Sequence, residues 1–230
     1  MFSISHTRFP AAAILTLALV FAALPVPASA NPPGNPENSE ICRDAIRQTE
    51  ASFDLPLGIL QAISLAESGR WDKETRSKFA WPWTVTARGK GEFYPSREHA
   101  IAAVQRLKRE GVRNIDVGCM QINLLYHPEA FDSLDEAFDP DANTRYAADL
   151  FSRLRESTRS ISRAIAHYHS TTREYNVPYT KKVLDLWNEE RRRFYEEERQ
   201  RKIAEWKEKR ARWEKERAQA RAGESQTRSR

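Results

Sequence analysis

The sequence predicts a mainly α-helical protein with a small β-hairpin insertion and a long charged C-terminal helix. Three observations support this prediction. Apolar residues recur at helical spacing in several segments of residues 39–188, and that spacing is lost between Gly69 and Pro95. The residues that follow Asn188 are rich in Glu, Arg and Lys, as in a solvated helix. The length of 230 residues suits one domain of this kind with an appendage.

The first thirty residues are typical of a secretory signal. An apolar run occupies residues 11–24, and the sequence Ala28-Ser29-Ala30 has the small residues that signal peptidase accepts. The apolar run is too short to span a bilayer comfortably. We therefore expect residues 1–30 to be cleaved and the protein to be exported to the periplasm. An uncleaved anchor is the alternative.

The first two helices are predicted from their caps and breakers. Residues 31–38 are rich in Pro and Asn and are expected to form a flexible lead-in. Ser39 can then cap a helix that runs to about Phe53. Pro56 is well placed in the first turn of a second helix, which Gly69 would end.

The second helix carries an acid on its apolar face. Leu60, Ile63 and Glu67 lie at positions i, i+3 and i+7, so Glu67 shares a face with aliphatic residues in the last turn. Burial there would disfavour the ionised carboxylate and raise its pKa toward neutrality, where the acid can donate a proton. The alternative is a solvated surface group, the common situation of a Glu at a helix end.

A β-hairpin is predicted where the helical spacing fails. β-forming residues flank the turn sequence Arg88-Gly89-Lys90-Gly91. Ser96 can cap the next helix, which would run to Glu110 and end at Gly111. Residues 114–128 are expected to form a loop with a glycine before a short buried segment. Three large aromatic residues near the hairpin could face a cleft: Trp83, Phe93 and Tyr94.

Two further helices are predicted after Asp139, and a last helix is expected to begin near Pro178 and continue into the tail. The charge is uneven along this chain. Residues 189–230 hold fifteen Lys or Arg and ten Asp or Glu, a net +5, whereas residues 1–188 hold twenty-two of each and are neutral. The folded part has no basic groove pattern and no zinc-finger spacing, so we expect no nucleic-acid partner.

The two cysteines are expected to form a disulfide. Cys42 and Cys119 both remain after signal cleavage, and an even number of cysteines in an oxidising compartment favours a bridge. Two separate buried thiols are the alternative. Such a bridge would stabilise the fold by roughly 4 kcal/mol in the chain-entropy model.

Four ordered motifs resemble those of a known enzyme family. Their order and rough spacing are similar to those of the lytic transglycosylases with a goose-lysozyme-like SLT domain, over about residues 39–188. The motifs are Glu67-Ser68, the GCMQI run of residues 118–122, the AHYHS run of residues 166–170, and Tyr179 followed by Val183. The resemblance implies a lysozyme-like fold for this segment.

The resemblance also implies roles for single residues. Glu67 would be the sole catalytic residue, Gln121 would contact the sugar, and Tyr179 would hydrogen-bond the catalytic acid. The other residues that it places at the substrate are Ser68, Met120, Tyr168 and His169. Where the family commonly has Leu, this chain has Cys119, which looks like a disulfide anchor. Where the family commonly has Asn, this chain has His169, whose role is either structural or in substrate contact.

The implied activity is that of a peptidoglycan lytic transglycosylase, with glycan strands as its partner and no cofactor. Glu67 would protonate the leaving oxygen between MurNAc and GlcNAc while the substrate's own N-acetyl carbonyl stabilises C1. Glu67 would then accept the proton of the C6 hydroxyl, which leaves a 1,6-anhydroMurNAc end and consumes no water. Two alternatives are a non-catalytic glycan-binding or assembly scaffold on the same fold and a hydrolytic muramidase, which would need a second carboxylate or its equivalent.

Other side chains are expected to have ordinary roles. Asp116 would fix the backbone of its loop, and Asp72 and Glu74 would be solvated. His167 and His169 point about 200° apart on a helix, so we expect no metal site there. Four aromatic residues could either pack in the core or stack on sugar rings: Trp81, Trp83, Tyr126 and Tyr168.

We expect the protein to be a monomer, and its charged tail has two interpretations. Pairs such as Glu198 with Lys202 and Glu205 with Lys209 could support a solvated, protruding or partly disordered helix. Alternatively, an aromatic stripe in basic surroundings could contact an anionic wall or membrane, an envelope or secretion-system partner, or a coiled-coil partner helix. The stripe consists of Tyr195, Trp206 and Trp213.

Overall fold

The computed structural model describes residues 36–73 and 75–228, and the side chains of residues 40–73 and 75–219. The predicted signal segment 1–30 lies outside the described residues, as do most of the predicted lead-in and Glu74. The described chain is mainly helical, with two small antiparallel sheets and a long C-terminal helix. The mainly α fold class, its hairpin and its terminal helix are therefore confirmed.

The helices and strands follow one another in the order α1 Pro36–Ser52, α2 Ile59–Glu67, β1 Gly69–Asp72, β2 Ser77–Ala80, β3 Thr84–Ala87, β4 Lys90–Phe93, α3 Arg97–Arg109, β5 Ile115–Val117, β6 Ile122–Asn123, α4 Leu134–Ala137, α5 Pro140–Thr158, α6 Ile161–His169 and α7 Arg173–Arg228. One sheet contains β1 and β2, and the other has the strand order β4-β3-β5-β6. Both sheets are antiparallel throughout.

The predicted hairpin is formed by β3 and β4. Arg88 and Gly89 connect the two strands with positive φ angles of 55° and 74°, as a tight two-residue turn requires. The predicted loop of residues 114–128 also contains a short hairpin, because β5 and β6 pair across residues 118–121. The β1–β2 hairpin was not predicted.

The second helix begins later than predicted. Pro56 precedes α2, and Gly58 at its N-terminus has a φ of 78°, so a turn separates the proline from the helix. Glu50 of α1 accepts hydrogen bonds from the backbone N–H groups of Gly58, Leu60 and Gln61 at 2.8, 2.7 and 3.4 Å. The carboxylate of a neighbouring helix thereby satisfies the free N–H groups that a local cap would otherwise satisfy.

Two other helices begin earlier than predicted. α1 starts at Pro36, inside the expected lead-in, rather than at Ser39. α7 starts at Arg173, and Pro178 lies within its second turn rather than at its start. Because Pro178 has no N–H to donate to the carbonyl of Glu174, the second turn of α7 lacks one intrahelical hydrogen bond.

The interior consists of two apolar clusters. The larger one joins α1, α2, α5, α6 and the first part of α7, with Leu60, Ile63 and Phe151 fully buried. The smaller one lies between α3, α4 and the four-stranded sheet, around Val104 and Phe138. The predicted disulfide is confirmed, since Cys42 of α1 is bonded to Cys119 in the segment between β5 and β6.

α7 crosses position 188 without interruption and continues to contact the domain beyond it. Phe194 and Glu197 lie over α1, and Glu197 forms an ion pair of 3.6 Å with Arg47. The predicted Glu198–Lys202 pair is present at 2.8 Å. Within the described side chains, Glu205 and Lys209 do not form the expected ion pair. No helix in the described part of the chain has the length and apolar character needed to cross a membrane.

Candidate active site

Glu67 is the last residue of α2, and its carboxyl group is held by a phenol from another helix. The hydroxyl of Tyr179, on α7, donates a hydrogen bond of 2.6 Å to Oε1 of Glu67. Tyr179 is itself buried, and the imidazole of His169 stacks on its ring at 4.3 Å with an angle of 8° between the planes. The acid is therefore fixed between two helices that are far apart in sequence.

The environment of Glu67 keeps its carboxyl group protonated close to neutral pH. Burial raises the pKa of Glu67 from its ordinary value of 4.5 to about 7. The hydrogen bond from Tyr179 opposes this rise, the charge of Asp116 adds to it, and the charge of Lys182 opposes it. A carboxylic acid with such a pKa can give up and recover a proton at neutral pH.

Ser68 connects the acid to the segment between β5 and β6. Its hydroxyl donates to the backbone oxygen of Cys119 at 2.7 Å and lies 3.2 Å from that of Ser64. Because the side chain of Ser68 is fully buried, it does not reach the surface where a substrate would lie. Ser68 therefore links the end of α2, which carries Glu67, to residues 118–121.

Gln121 has two features that are typical of a binding residue. Its backbone has a φ of 50°, an uncommon left-handed conformation for a residue other than glycine. Its side-chain nitrogen donates to the backbone oxygens of Thr84 and Gly118 at 3.1 and 3.0 Å. The side-chain oxygen is buried and has no hydrogen-bond partner among the described residues, so it is available to a donor from a ligand.

Asn143 positions this loop and was missed in the sequence analysis. Its oxygen accepts from the N–H of Met120 at 2.9 Å, and its nitrogen donates to the carbonyls of Val117 and Ala137 at 3.1 and 3.0 Å. A Cβ atom at Gly118 would lie 2.5 Å from the Asn143 nitrogen. Gly118, with a φ of 83°, therefore lets the loop lie directly against the asparagine.

Met120 lies in the core rather than on the cleft surface. Its side chain is fully buried and does not line the cleft, although a substrate contact was predicted for it. Its backbone oxygen accepts a 3.0 Å hydrogen bond from the hydroxyl of Tyr168. Tyr168 is partly buried and His169 is exposed, and both lie on the last turn of α6 beside Glu67. The stacking on Tyr179 gives His169 a structural contact.

These residues border an open cleft of about 390 Å³. Its lining is mostly polar and aromatic, which suits a ligand with many hydroxyl and amide groups: Glu67, Thr86, Asn114, Asp116, Gln121, Ile122, Asn123, Tyr126, His127, Leu150, Tyr168 and His169. Of the residues predicted at the substrate, Gln121, Tyr168 and His169 lie in this lining with Glu67. Tyr179 is not part of this lining, but its hydroxyl contacts the carboxyl group of Glu67.

Asp116 places a second carboxylate in the cleft. It lies opposite Thr86 and Asn123 on the neighbouring strands, and the side-chain nitrogen of Asn123 donates to it at 2.7 Å. Burial raises the pKa of Asp116, and the bond from Asn123 opposes the rise. The sequence analysis assigned Asp116 to the loop backbone, but its side chain faces the site because β5 and β6 pair there. The only feature of the sequence that indicated this position of Asp116 was the alternation of apolar and polar residues in Ile115-Asp116-Val117.

The large aromatic residues divide between core and cleft. Trp81 is buried and its indole N–H donates to the backbone oxygen of Tyr94 at 2.7 Å, so it is a core residue. Trp83 packs against the smaller apolar cluster. Tyr126 is 70% exposed at the cleft and is free to stack on a sugar ring.

No group of three or more His, Cys, Asp or Glu is arranged to hold a metal ion within residues 36–73 and 75–228. No protein-family model, curated protein or solved structure matches the chain. The geometry of the cleft therefore provides the basis for assigning a function.

Proposed function

We propose that the protein is a peptidoglycan lytic transglycosylase that uses Glu67 as both acid and base. The observation that carries this proposal is the carboxyl group of Glu67, which is partly buried, hydrogen-bonded to Tyr179 and has a pKa of about 7. The resemblance of the four sequence motifs supports the same assignment and, with it, a lysozyme-like arrangement of the helices around the cleft.

The lining of the cleft is compatible with an acetamido sugar. The unpaired oxygen of Gln121 can accept a hydrogen bond from a sugar hydroxyl or amide, and the exposed ring of Tyr126 can stack on a pyranose. Glycan strands of peptidoglycan offer both kinds of group. We therefore place the bond to be cleaved over Glu67.

The proposed reaction needs one proton donor that later acts as acceptor. Neutral Glu67 gives its proton to the glycosidic oxygen as the bond to C1 of the MurNAc unit breaks. The N-acetyl oxygen of that unit bonds to C1 and forms an oxazolinium ion. Ionised Glu67 then takes the proton of the C6 hydroxyl, whose oxygen displaces the N-acetyl oxygen at C1. The carboxyl group is regenerated, and the product is a 1,6-anhydro end.

A hydrolytic muramidase is the second candidate, and Asp116 is the observation that favours it. Glycosidases that add water use two carboxyl groups, one as acid and the other as base or nucleophile. Asp116 lies in the same cleft and its charge raises the pKa of Glu67. The two reactions differ in their products, because hydrolysis adds one water to the new reducing end.

We also propose that the protein is exported to the periplasm. The signal-like residues 1–30 and the Cys42–Cys119 disulfide support this location, since disulfides persist mainly in oxidising compartments. The part of α7 beyond Glu198 would then be available to an anionic surface or an envelope partner. The aromatic residues Trp206 and Trp213 of this part are 57 and 53% exposed, and Tyr195, just before it, is 61% exposed.

The variant Glu67→Gln tests the proposed function. Glutamine has the same shape but cannot exchange a proton, so release of soluble fragments from peptidoglycan should fall by at least about a hundred-fold. Binding of the variant to sacculi should remain close to that of the unchanged protein. If Glu67→Gln retained more than about a hundredth of the activity, Glu67 would not be the catalytic acid. Strong binding without cleavage by the unchanged protein would favour the scaffold alternative.

A further inference from the structure

We propose that a pocket between the β1–β2 hairpin and α7 binds a carboxylate of the peptide that is attached to the glycan, and that Lys78 and Lys182 hold it. This proposal rests on the proposed function. It concerns the peptide of the substrate, whereas the catalytic cleft is proposed to bind the sugars. The pocket has a volume of about 380 Å³, large enough for a carboxylate and part of a peptide chain.

Lys78 approaches the catalytic acid from the β1–β2 hairpin. Its partly buried side chain lies across Gly69, two residues after Glu67, and a Cβ atom at Gly69 would lie only 2.3 Å from Cε of Lys78. Trp71 is the cross-strand partner of Lys78, so the two side chains share one face of the hairpin. Trp71 is 59% exposed and extends that face with an apolar surface.

Lys182 reaches the same pocket from α7. Its ammonium group donates a 2.6 Å hydrogen bond to the backbone oxygen of Ala66, at the end of α2. Lys182 lines the pocket, and its charge lowers the pKa of both Glu67 and His169, which line the catalytic cleft. Burial lowers the pKa of Lys78, and the charge of Lys182 lowers it further.

The two lysines thus bring two positive charges to the same pocket. Neither Lys78 nor Lys182 has an ion-pair partner among the described residues. Among the residues that line the pocket, Lys181 and Asp185 pair with each other at 2.6 Å, which leaves the single carboxylate of Glu189 against the two lysines, a net positive charge. Such an arrangement is unfavourable in the free protein and would be relieved by an anionic ligand.

The chemistry of the substrate identifies the anion. The sugar ring atoms of peptidoglycan carry no charge, whereas each peptide begins at the lactyl ether of a MurNAc unit and carries several carboxylates. If that unit lies over Glu67, its peptide leaves the strand next to the acid. Lys182 contacts Ala66 and Lys78 lies across Gly69, so the two lysines flank Glu67 in the sequence and line a pocket separate from the cleft that contains Asp116. They offer the cations that this peptide needs.

The test compares glycan strands that carry their peptides with strands from which an amidase has removed them and whose newly formed lactyl carboxylates have then been converted to neutral methylamides. The variants are Lys78→Gln and Lys182→Gln, and Lys108→Gln, an exposed lysine of α3, is the charge-matched control. The measured quantity is kcat/KM for the strands with peptides divided by kcat/KM for the strands without them. A ratio is needed because Lys182 also lowers the pKa of Glu67, so its replacement would change the activity on both substrates. Each pocket variant should reduce this ratio by about five- to ten-fold at low salt, and the control should not reduce it.

Lys78→Arg, which retains the charge, should restore most of the ratio, and added salt should reduce the ratio of the unchanged protein. An unaltered ratio in both pocket variants, or equal losses on the two substrates, would overturn the proposal. Binding of the same strands to Glu67→Gln proteins with and without Lys78→Gln separates this proposal from the catalytic one. Absence of cleavage would refute the proposed function, whereas peptide-dependent binding through Lys78 would still support the pocket.

Discussion

Replacement of Glu67 by Gln should stabilise the protein at alkaline pH and leave its stability at acid pH almost unchanged. The reason is linkage between the protonation of Glu67 and folding. The pKa of this carboxyl group is about 7 in the folded protein, against an ordinary value of 4.5. Below pH 4.5 the group is neutral in both states. Between these two values the unfolded chain releases the proton and the folded chain retains it, so the folded state loses stability as pH rises.

The size of the effect follows from the two pKa values. Their difference, at about 1.4 kcal/mol per pKa unit, corresponds to a loss of up to about 3 kcal/mol in the free energy of unfolding above pH 7. A glutamine does not ionise and avoids this loss. For a domain of this size the melting temperature of Glu67→Gln should exceed that of the unchanged protein by up to about 6–12 °C at about pH 8.5.

The assay is thermal and urea unfolding of both proteins at about pH 4 and pH 8.5, with Glu156→Gln as the control. Glu156 is an exposed acid of α5, and its replacement should change the free energy of unfolding by no more than about 0.5 kcal/mol. Equal stability of Glu67→Gln and the unchanged protein at both pH values would refute a desolvated Glu67. Destabilisation at alkaline pH would show that the carboxylate is stabilised by the fold and would also refute it.

Three further predictions test the contacts around the site. Tyr179→Phe removes a hydrogen bond that favours the ionised carboxylate, so the pKa of Glu67, followed by carbon NMR, should rise by about one unit or more; Tyr175→Phe, on the same helix, should not change it. Asn143→Leu removes three buried hydrogen bonds, to one backbone N–H and two carbonyls, and should lower the free energy of unfolding by about 3 kcal/mol or more in urea titrations; a loss below about 1 kcal/mol would contradict the assigned role. Removal of residues 199–230, which hold twelve Lys or Arg and five Glu, should preserve cleavage of short soluble glycans and weaken binding to anionic vesicles in a salt-dependent way; unchanged vesicle binding at low salt would indicate a merely solvated helix.

The elements that were predicted correctly are those whose signals are local. The spacing of Leu60, Ile63 and Glu67 gave the buried face of α2, and Ser96 and Gly111 marked the ends of α3. The start of α2 was wrong because its N–H groups are satisfied by Glu50, which comes from another helix. No local pattern reports such a long-range cap.

The remaining differences have the same physical origin. The strands β1 and β2 are four residues each and contain exposed polar side chains, so no alternation distinguishes them from a loop. Asn143 lies in a helical sequence, and its role is created by the close approach of Gly118, which depends on tertiary packing. Lys78 and Lys182 are ordinary surface lysines in the sequence, and only the fold brings their charges together beside Glu67.

Mass spectrometry of the fragments released from purified peptidoglycan tests the central proposal most directly. The reaction is carried out in water enriched in heavy oxygen, with Glu67→Gln as the inactive control. Non-hydrolytic cleavage predicts 1,6-anhydroMurNAc ends, whose masses lack one water and contain no heavy oxygen. Reducing MurNAc ends that contain heavy oxygen would contradict it and would identify a hydrolytic muramidase.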